Sequence, residues 1–550
     1  MAKNDLRINV LGVDFTISTD EDPEYLARLL DKYRQTVDNV QKLSGLKDPL
    51  KIAVLTGFLI SDDIEKAGTS SHGGHHGNSE VEQLTRSMIV RLEEAVSGQK
   101  GLKPEQPSFY RLLNTVKNYE WGSPEWIPSL LGQENPDRKP WAELWIGVNS
   151  EGPSRVIFGI AEDSVNGEEA PPVLLGDLID KDPLTFLGER AFRIFGRLPF
   201  LFKVEAAEKP LSIQAHPNKE QAREGYEREN RDLIPLDAPY RNYRDANHKP
   251  ELLCALGSFA ALCGFRKPGE ISTLLEILSS EDIFNGIMGG LNNRNSQEAL
   301  KAGFASLIAA LSRENPLKSF LEELYKMSGE TLDALGSYIR SRFSRLKREH
   351  PQYQNEWEYC NYLSGLAESF SRPDSEKVSG DPGIIAPLFL NIVELEKGEA
   401  IYLPAGVFHA YIHGIGIEVM ADSNNVLRGG LTGKYTDPQE LCRILNFTDY
   451  RPVIMKAPDP APIWYSYPAQ SDDFALSLMN GSSSPSPYAA EGPSIVLFVR
   501  GTATMIENET GAETVFSQGE SIFIPAGRQS NLLFYGDFTA YAASIPSGSI

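Results

Sequence analysis

Positive charge is what this chain has least of. Lys and Arg number 53 against 75 Asp and Glu, a formal net charge of −22. Nucleic-acid binding needs basic surface to neutralise phosphates, so that class is excluded. Attraction to anionic lipid is disfavoured on the same ground. Cysteine is scarce too: Cys254, Cys263, Cys360 and Cys442 are the four in 550 residues, and none forms a Cys-x-x-Cys pair. So few thiols cannot staple so long a chain, which excludes a disulfide framework and fits a reducing cytoplasm. They read as small buried hydrophobes rather than nucleophiles. No apolar run reaches the ~20 residues of a membrane span. The opening Met-Ala-Lys-Asn-Asp leads into no apolar segment, so no secretory leader is expected.

What is present is ordinary globular material, 41% hydrophobic and 23% charged. The length exceeds what one core supports, so several domains are expected. Residues 6–18 read as a hairpin around Leu11-Gly12, with Ile8, Val10, Val13, Phe15 and Ile17 alternating. Asp22-Pro23 opens a helix carried by Leu26, Leu29, Leu30, Tyr33, Val37 and Val40, and Gly45 stops it. A second helix is expected over 49–66. The Gly-Ser-His run 68–79 reads as a linker. Its His72, His75 and His76 lack the supporting partners a specific metal site needs. A short helix over 80–96 and a second linker to Pro107 follow.

From Ser108 short β-rich runs punctuated by Gly and Pro continue to about Cys263. A helical insert covers about 268–370, with runs at Ile271–Leu278, Ser296–Leu311 and Leu317–Leu346. Strands resume at Gly383, apart from a short helix near Pro438–Leu445. One internal repeat stands out. Lys397–His409 matches Gln518–Ser530 in one register, sharing Gly-Glu, Ile and Pro-Ala-Gly. A strand between two such turns suits a small jelly-roll (cupin) barrel, and two copies suggest two barrels. Ser530 stands where the first copy has His409, so the first barrel is the candidate site and the second is structural.

The chemistry lies in three separated runs. Gln214 and His216 are two apart, so a strand turns both to one side. Lys249 and Glu251 share that relation if Pro250 sits at an edge or bulge, and His409 and Tyr411 share it again. Gln214, His216, Glu251 and His409 form a plausible four-ligand set for a divalent metal. Buried together they would be costly unless an ion satisfied them. Zinc, one per chain, is preferred for mixed N/O donors, with iron as the other option. Downstream lie Glu418, Arg428 among glycines, and Lys434. Arg428 can approach an anion closely, and Lys434 can act as a point charge on phosphate.

Leu198–Val204, Ser212–Lys219, Tyr243–Glu251 and Tyr402–Lys434, with Tyr119–Gly122 and Ala142–Gly147, resemble the type I mannose-6-phosphate isomerases over about 108–550. The resemblance implies zinc on Gln214, His216, Glu251 and His409. It implies Arg428 as a catalytic residue, Lys249, Glu418 and Lys434 lining the site, and Ser212 near the substrate phosphate. It implies a cytoplasmic enzyme that interconverts mannose 6-phosphate and fructose 6-phosphate, with Glu418 or Lys249 moving the proton. The chain departs from the family pattern at Val148-Asn149-Ser150, Asn424, Gly429 and Gly433. Arg7–Ile17 and the two helices after it resemble ZapA, the division protein that bundles FtsZ filaments. That implies a self-associating module, a homodimer through it, and contact with FtsZ.

The expected architecture is mostly β: two cupin barrels, an α-helical domain and a small α+β ZapA-like domain. The boundaries are 1–67 for the ZapA-like domain and 68–107 for the linker with its short helix. Residues 108–267 with 383–450 form the catalytic barrel, 268–382 the helical insert, and 451–550 the C-terminal barrel. Two other readings stay open: a scaffold in which a degenerate isomerase barrel is tethered to the division machinery, and a different cupin enzyme such as an iron oxygenase.

Overall fold

The computed structural model describes residues 4–10, 13–19, 30, 33–34, 36–37, 56, 107–158, 171–280, 294–366 and 380–546. The chain divides into two compact units, Met1–Pro107 and Ser108–Ile550. In the first, strands Asn4–Val10 and Val13–Thr19 pair antiparallel with Val10 opposite Val13; Leu11 and Gly12, where the turn was expected, lie outside the described residues. Leu30, Tyr33, Arg34, Thr36 and Val37 are helical, as is Thr56. The rest of both expected helices, the linkers and the 80–96 helix lie outside the described residues.

The second unit is built on two ten-stranded sheets. The first runs Met455–Lys456, Glu399–Leu403, Glu251–Phe265, His409–Ala421, Phe200–Ala207, Glu143–Ile146, Thr115–Lys117. Leu390–Leu395 pairs with Glu251–Phe265, and Ile213–Ala215 pairs with both His409–Ala421 and Leu427–Gly430. The second sheet runs Trp464–Tyr467, Ala475–Asn480, Leu532–Ser544, Ser494–Glu507, Ser521–Ile524, Tyr110–Leu113, Arg155–Ile157, Val173–Leu174. Its long strands pair antiparallel.

Two of these pairings cross the expected boundaries between the barrels. Tyr110–Leu113 hydrogen-bonds to Ser521–Ile524, with Arg111 opposite Ile522, so it belongs to the C-terminal sheet. Met455–Lys456 pairs with Glu399–Leu403 and belongs to the first. Strands exchange between the layers because the two sheets share a core. Phe200, Phe202, Val204, Ile417 and Val419 of one sheet pack with Ile495, Leu497, Phe523 and Tyr541 of the other. Edge strands from either part of the chain extend that buried face.

The repeat found in sequence is a repeat of backbone geometry. Gly398 and Gly519 take φ of 81° and 89°, and Gly406 and Gly527 take 80° and 79°. Each copy therefore places its strand, Glu399–Leu403 or Ser521–Ile524, between two left-handed turns that favour glycine.

Helices also appear where β texture was expected, at Pro183–Phe195 and Lys219–Arg231. The second begins with a capping box: Asn218 accepts from the Gln221 backbone, and the Gln221 side chain returns to the Asn218 N–H. The insert holds Pro268–Ser279, Arg294–Ala310, Pro316–Lys326, Gly329–Glu349 and Gln354–Gly365. The run read as 317–346 is thus two helices. They break where Ser328 caps the second by accepting from the Thr331 N–H. Residues 382–389 form two short helical turns, so strands resume at Leu390 rather than Gly383. The insert packs Leu274, Phe320, Leu324 and Trp357 with Ile213, Phe408 and Leu427. Those three adjoin candidate site residues in sequence, so the insert braces the site from behind.

Candidate metal centre and active site

Strand alternation sorts the first sheet into an apolar side and a polar side. Phe202, Val204, Leu252, Cys254, Ile417 and Val419 face the second sheet. Their neighbours Lys203, Glu205, Glu251 and Glu418 therefore point the opposite way. Cross-strand register then sets the pairs: Lys203 opposite Trp145 and Glu418, Glu205 opposite Glu143, Gln214 opposite His409 and Arg428. His409 and Glu418 differ in parity, yet both reach the polar side. The register of His409–Ala421 against Glu251–Phe265 breaks between Ala260 and Ala261, where His413 and Tyr411 are the partners and Ile412 is extra. Such a bulge re-aims the side chains beyond it.

The three ionisable members of the expected ligand set converge. His216, Glu251 and His409 each offer a ligand atom, and these atoms lie within 4.8 Å of one another. His216 Nε2 is 3.3 Å from Glu251 Oε1, and His409 Nε2 is 3.2 Å from Glu251 Oε2. All three residues are buried. The outer ring nitrogens are held by backbone carbonyls: His216 Nδ1 by Asn425 at 2.7 Å and His409 Nδ1 by Val407 at 3.0 Å. Nδ1 thus carries the proton, and the Nε2 lone pair faces the carboxylate. Both Nε2 atoms and both Glu251 oxygens are buried without a well-angled hydrogen bond. Lone pairs turned on a carboxylate repel, and a divalent cation between them removes the conflict. The donor set therefore fits a metal ion. Gln214 lies on the adjoining strand, opposite His409.

Electrostatics agree. Burial, and then Lys249, push the His216 imidazolium down to about 4, keeping the ring neutral as a ligand must be. Burial alone would raise Glu251, but Lys249, with Nζ 2.7 Å from Oε1, is foremost among the groups that hold it well below the usual carboxylate range.

Beside this centre is a polar cluster that the sequence reading overlooked. Lys203 Nζ lies 3.2 Å from Glu418, 3.4 Å from Glu205 and 3.6 Å from Glu143. Glu418 also accepts from the Tyr411 hydroxyl at 2.8 Å, and Glu143 accepts from Trp145 Nε1 at 2.6 Å. Burial works against the Lys203 ammonium, yet the three carboxyls hold its pKa well above the usual lysine value. Burial, and then Glu143 and Glu418, push the Glu205 carboxyl well above its usual range. Lys203 stands inside Leu198–Val204 in an apolar run; only the side-chain period distinguishes it from a solvated lysine.

Arg428 lies opposite Gln214 in register. Its pKa is lowered by burial and then by Arg244, a further cation the sequence reading did not single out. Lys434 is exposed at the surface, but partial burial of its ammonium and then Arg428 lower its pKa too. Its Nζ sits 5.6 Å from the Tyr119 ring centroid. Arg244, Arg428 and Lys434 are thus close enough for one cation to lower the next. Ser212 is half-buried immediately before strand Ile213–Ala215.

The loop carrying Arg428 is tied down by Asp381, which accepts from the Leu431 and Gly383 N–H groups at 2.7 Å each, and by the Tyr325 hydroxyl, which donates to Gly429 O at 2.8 Å. Two departures from the family pattern meet. Asn149 Nδ2 donates to Asp422 at 2.7 Å and reaches Asn424 Oδ1 at 3.3 Å.

Residues 109–268 match the family model described as phosphomannose isomerase type I, catalytic domain, and residues 6–90 match that of cell division protein ZapA. The mannose-6-phosphate isomerase of Escherichia coli (strain K12) is 36% identical over 418 residues, 76% of this chain and 94% of that protein. The mouse (Mus musculus) mannose-6-phosphate isomerase is 32% identical over 445 residues, with coverage of 76% and 94%. A holo, zinc-bound crystal structure of mannose 6-phosphate isomerase shares 32% identity and a TM-score of 0.66, covering 80% of this chain and 100% of that chain. A phosphomannose isomerase mutant from Salmonella typhimurium gives 33% and 0.66 at the same coverage. A buried His-Glu-His donor set on an antiparallel sheet, with relatives this similar over nearly their whole length, leaves one conclusion: the chain belongs to the type I mannose-6-phosphate isomerase family.

Proposed function

We infer that this protein is a zinc-dependent isomerase that interconverts mannose 6-phosphate and fructose 6-phosphate, with a ZapA-like module at its N-terminal end. The single observation that carries the reading is the set of buried, unsatisfied ligand atoms on His216, Glu251 and His409. Gln214 completes the ligand set in this reading, supported by its register opposite His409. A zinc ion there supplies Lewis acidity toward the sugar's carbonyl and hydroxyl oxygens.

The rest falls to the chain's own residues. Lys249 is committed to Glu251, so Glu418 is the base we assign for the proton that moves between C2 and C1. Tyr411 and Lys203 fix the two Glu418 oxygens and hold its carboxylate in place. Arg428 offsets the negative charge that develops on the sugar oxygens through the enediol. Lys434 and Ser212 hold the phosphate. The clustering of cations, with Arg244 lowering Arg428 and Arg428 in turn lowering Lys434, supports an anion beside them.

The ZapA match supports self-association of the N-terminal unit into a homodimer, and contact with FtsZ is the partner it implies. No helix among the described residues is long and apolar enough to cross a membrane, and all four cysteines are free. Both features suit the cytoplasm.

The test is conversion of mannose 6-phosphate in D2O, with and without a chelator. Solvent deuterium entering the product, and loss of activity on chelation that zinc restores, are the expected results. Full retention of the substrate hydrogen at slow turnover would instead indicate a hydride shift. Activity that survives complete metal removal would end the zinc reading.

A further inference from the structure

The Lys203 cluster contains more carboxyl groups than its one cation can balance. Glu143 and Glu205 sit directly opposite each other on neighbouring strands, both buried. Two ionised carboxylates in that register repel, and burial removes the water that would screen them. Glu418 adds a third carboxyl on the far side of Lys203; the phenols of Tyr119 and Tyr411 are further titratable neighbours, as are Lys249 and Glu251, which are paired with each other. Glu143 has a donor in Trp145, and Glu418 has donors in Tyr411 and Lys203. Glu205 is the poorest served. Its Oε1 shares Lys203 at 3.4 Å, while its Oε2 is buried with no donor facing it. A proton on Oε2 reverses that atom's role. It becomes the donor, and the Glu143 carboxylate opposite is the acceptor within reach.

We propose that Glu205 is a neutral carboxylic acid hydrogen-bonded to ionised Glu143, and that this acid–carboxylate pair is a positioning device aiming the Lys203 ammonium at Glu418. With Glu205 neutral, two anions remain beside Lys203, one on each side. Glu143 and Glu205 then form one rigid wall of the ammonium's cage. The shorter contact to Glu418, 3.2 Å against 3.4 Å and 3.6 Å, puts the ammonium nearest the carboxylate assigned as base. Glu205 touches no substrate in this account; it acts through Lys203. The kinetic consequence rests on Glu418 being the base, whereas the location of the proton does not.

Infrared spectroscopy of the full-length, zinc-loaded protein at neutral pH reads that location directly. The expected result is the carbonyl band of a buried protonated carboxyl, lost in Glu205→Gln, weakened in Glu143→Gln, which removes the anion opposite, and kept in Glu418→Gln. No such band, or a band lost in Glu143→Gln and kept in Glu205→Gln, overturns the proposal. For the positioning role, Glu205→Ala should lower kcat about tenfold or more with little change in KM. Glu205→Gln, which keeps a donor at the same place, should recover most of that loss. Equal losses in the two variants overturn the role. Should Glu205→Ala fail to fold, the near-isosteric Gln variant still decides the proton. A chain with no isomerase activity would remove Glu418's role and leave the infrared result standing.

Discussion

His216 Nδ1 lies 2.7 Å from the backbone carbonyl oxygen of Asn425. That one contact fixes the tautomer that turns Nε2 toward Glu251. Asn425 is itself immobilised: its Oδ1 accepts from the Arg244 and Asp245 N–H groups, and its Nδ2 donates to the carbonyls of Asp245 and Asn247. The fully buried Asn425 side chain thus holds the carbonyl that orients a ligand while pinning the segment that leads into Glu251.

Asn425→Ala should therefore weaken zinc binding about 10–100-fold, the usual cost of losing a group that orients a metal ligand. Competition against a chromophoric chelator measures this without reference to turnover. An unchanged affinity would show that the carbonyl keeps its place without its side chain.

The metal-free protein should lose stability as pH falls through the window from about 6.5 to about 4. His216 has its folded-state value pushed down to about 4 by burial and by Lys249, against an unfolded value of 6.5. Between those limits the unfolded chain binds more protons than the folded one, so stability rises with pH and is lost on acidification. The full difference is about 3 kcal/mol at 1.36 kcal/mol per pH unit. Urea unfolding in chelator across this range, compared with His216→Gln, isolates the contribution. A variant with the same acid slope as the parent would remove His216 as its source.

How much of this could be read along the chain depends on how local each signal is. The runs holding His216 and Glu251 were legible because each sets polar residues two apart at a strand end, although His216 and Lys249 themselves fall just outside strands Ile213–Ala215 and Glu251–Phe265. The pairing of Asn4–Val10 with Val13–Thr19 and the repeat around Gly398 and Gly519 were legible for a similar reason, since both signals are local. Lys203, Glu143 and Glu205 were not. Each looks like an isolated charge in its own segment, and only the register between three strands assembles the cluster. The bulge at Ile412 was hidden for the same reason, because parity along His409–Ala421 predicts Glu418 on the wrong side. The exchange of Tyr110–Leu113 into the C-terminal sheet is a still longer-range event, decided by a shared core.

Asn149 and Asn424 should prove energetically coupled. They meet through one amide that also serves Asp422, whose carboxyl is raised by burial and also by Asp245, against the pull of Arg197. Asn424→Asp brings another anion to a place already holding two. The single variant should lose stability, and a double-mutant cycle with Asn149→Ala should return a coupling of about 1 kcal/mol. Simple additivity would mean that the two departures from the family pattern arose independently of their contact.

Gly429 offers a test of how the helical insert braces the catalytic loop. Its backbone φ is not among the positive ones, so glycine is not required there for conformation. It is required for space: an added Cβ would collide with the Phe408 ring and the Tyr325 hydroxyl. Tyr325 comes from helix Pro316–Lys326 and donates to the Gly429 carbonyl, so the crowding is the cost of that anchor. Gly429→Ala should destabilise by about 1–3 kcal/mol, the usual range for overpacking, and should lower kcat by displacing the adjacent Arg428. Tyr325→Phe removes the hydroxyl that blocks part of the space, along with its hydrogen bond. The double variant should therefore be more stable than the sum of the two single losses predicts, as read by urea unfolding. Strictly additive losses would place the crowding at Phe408 alone and leave the insert without a steric hold on the loop.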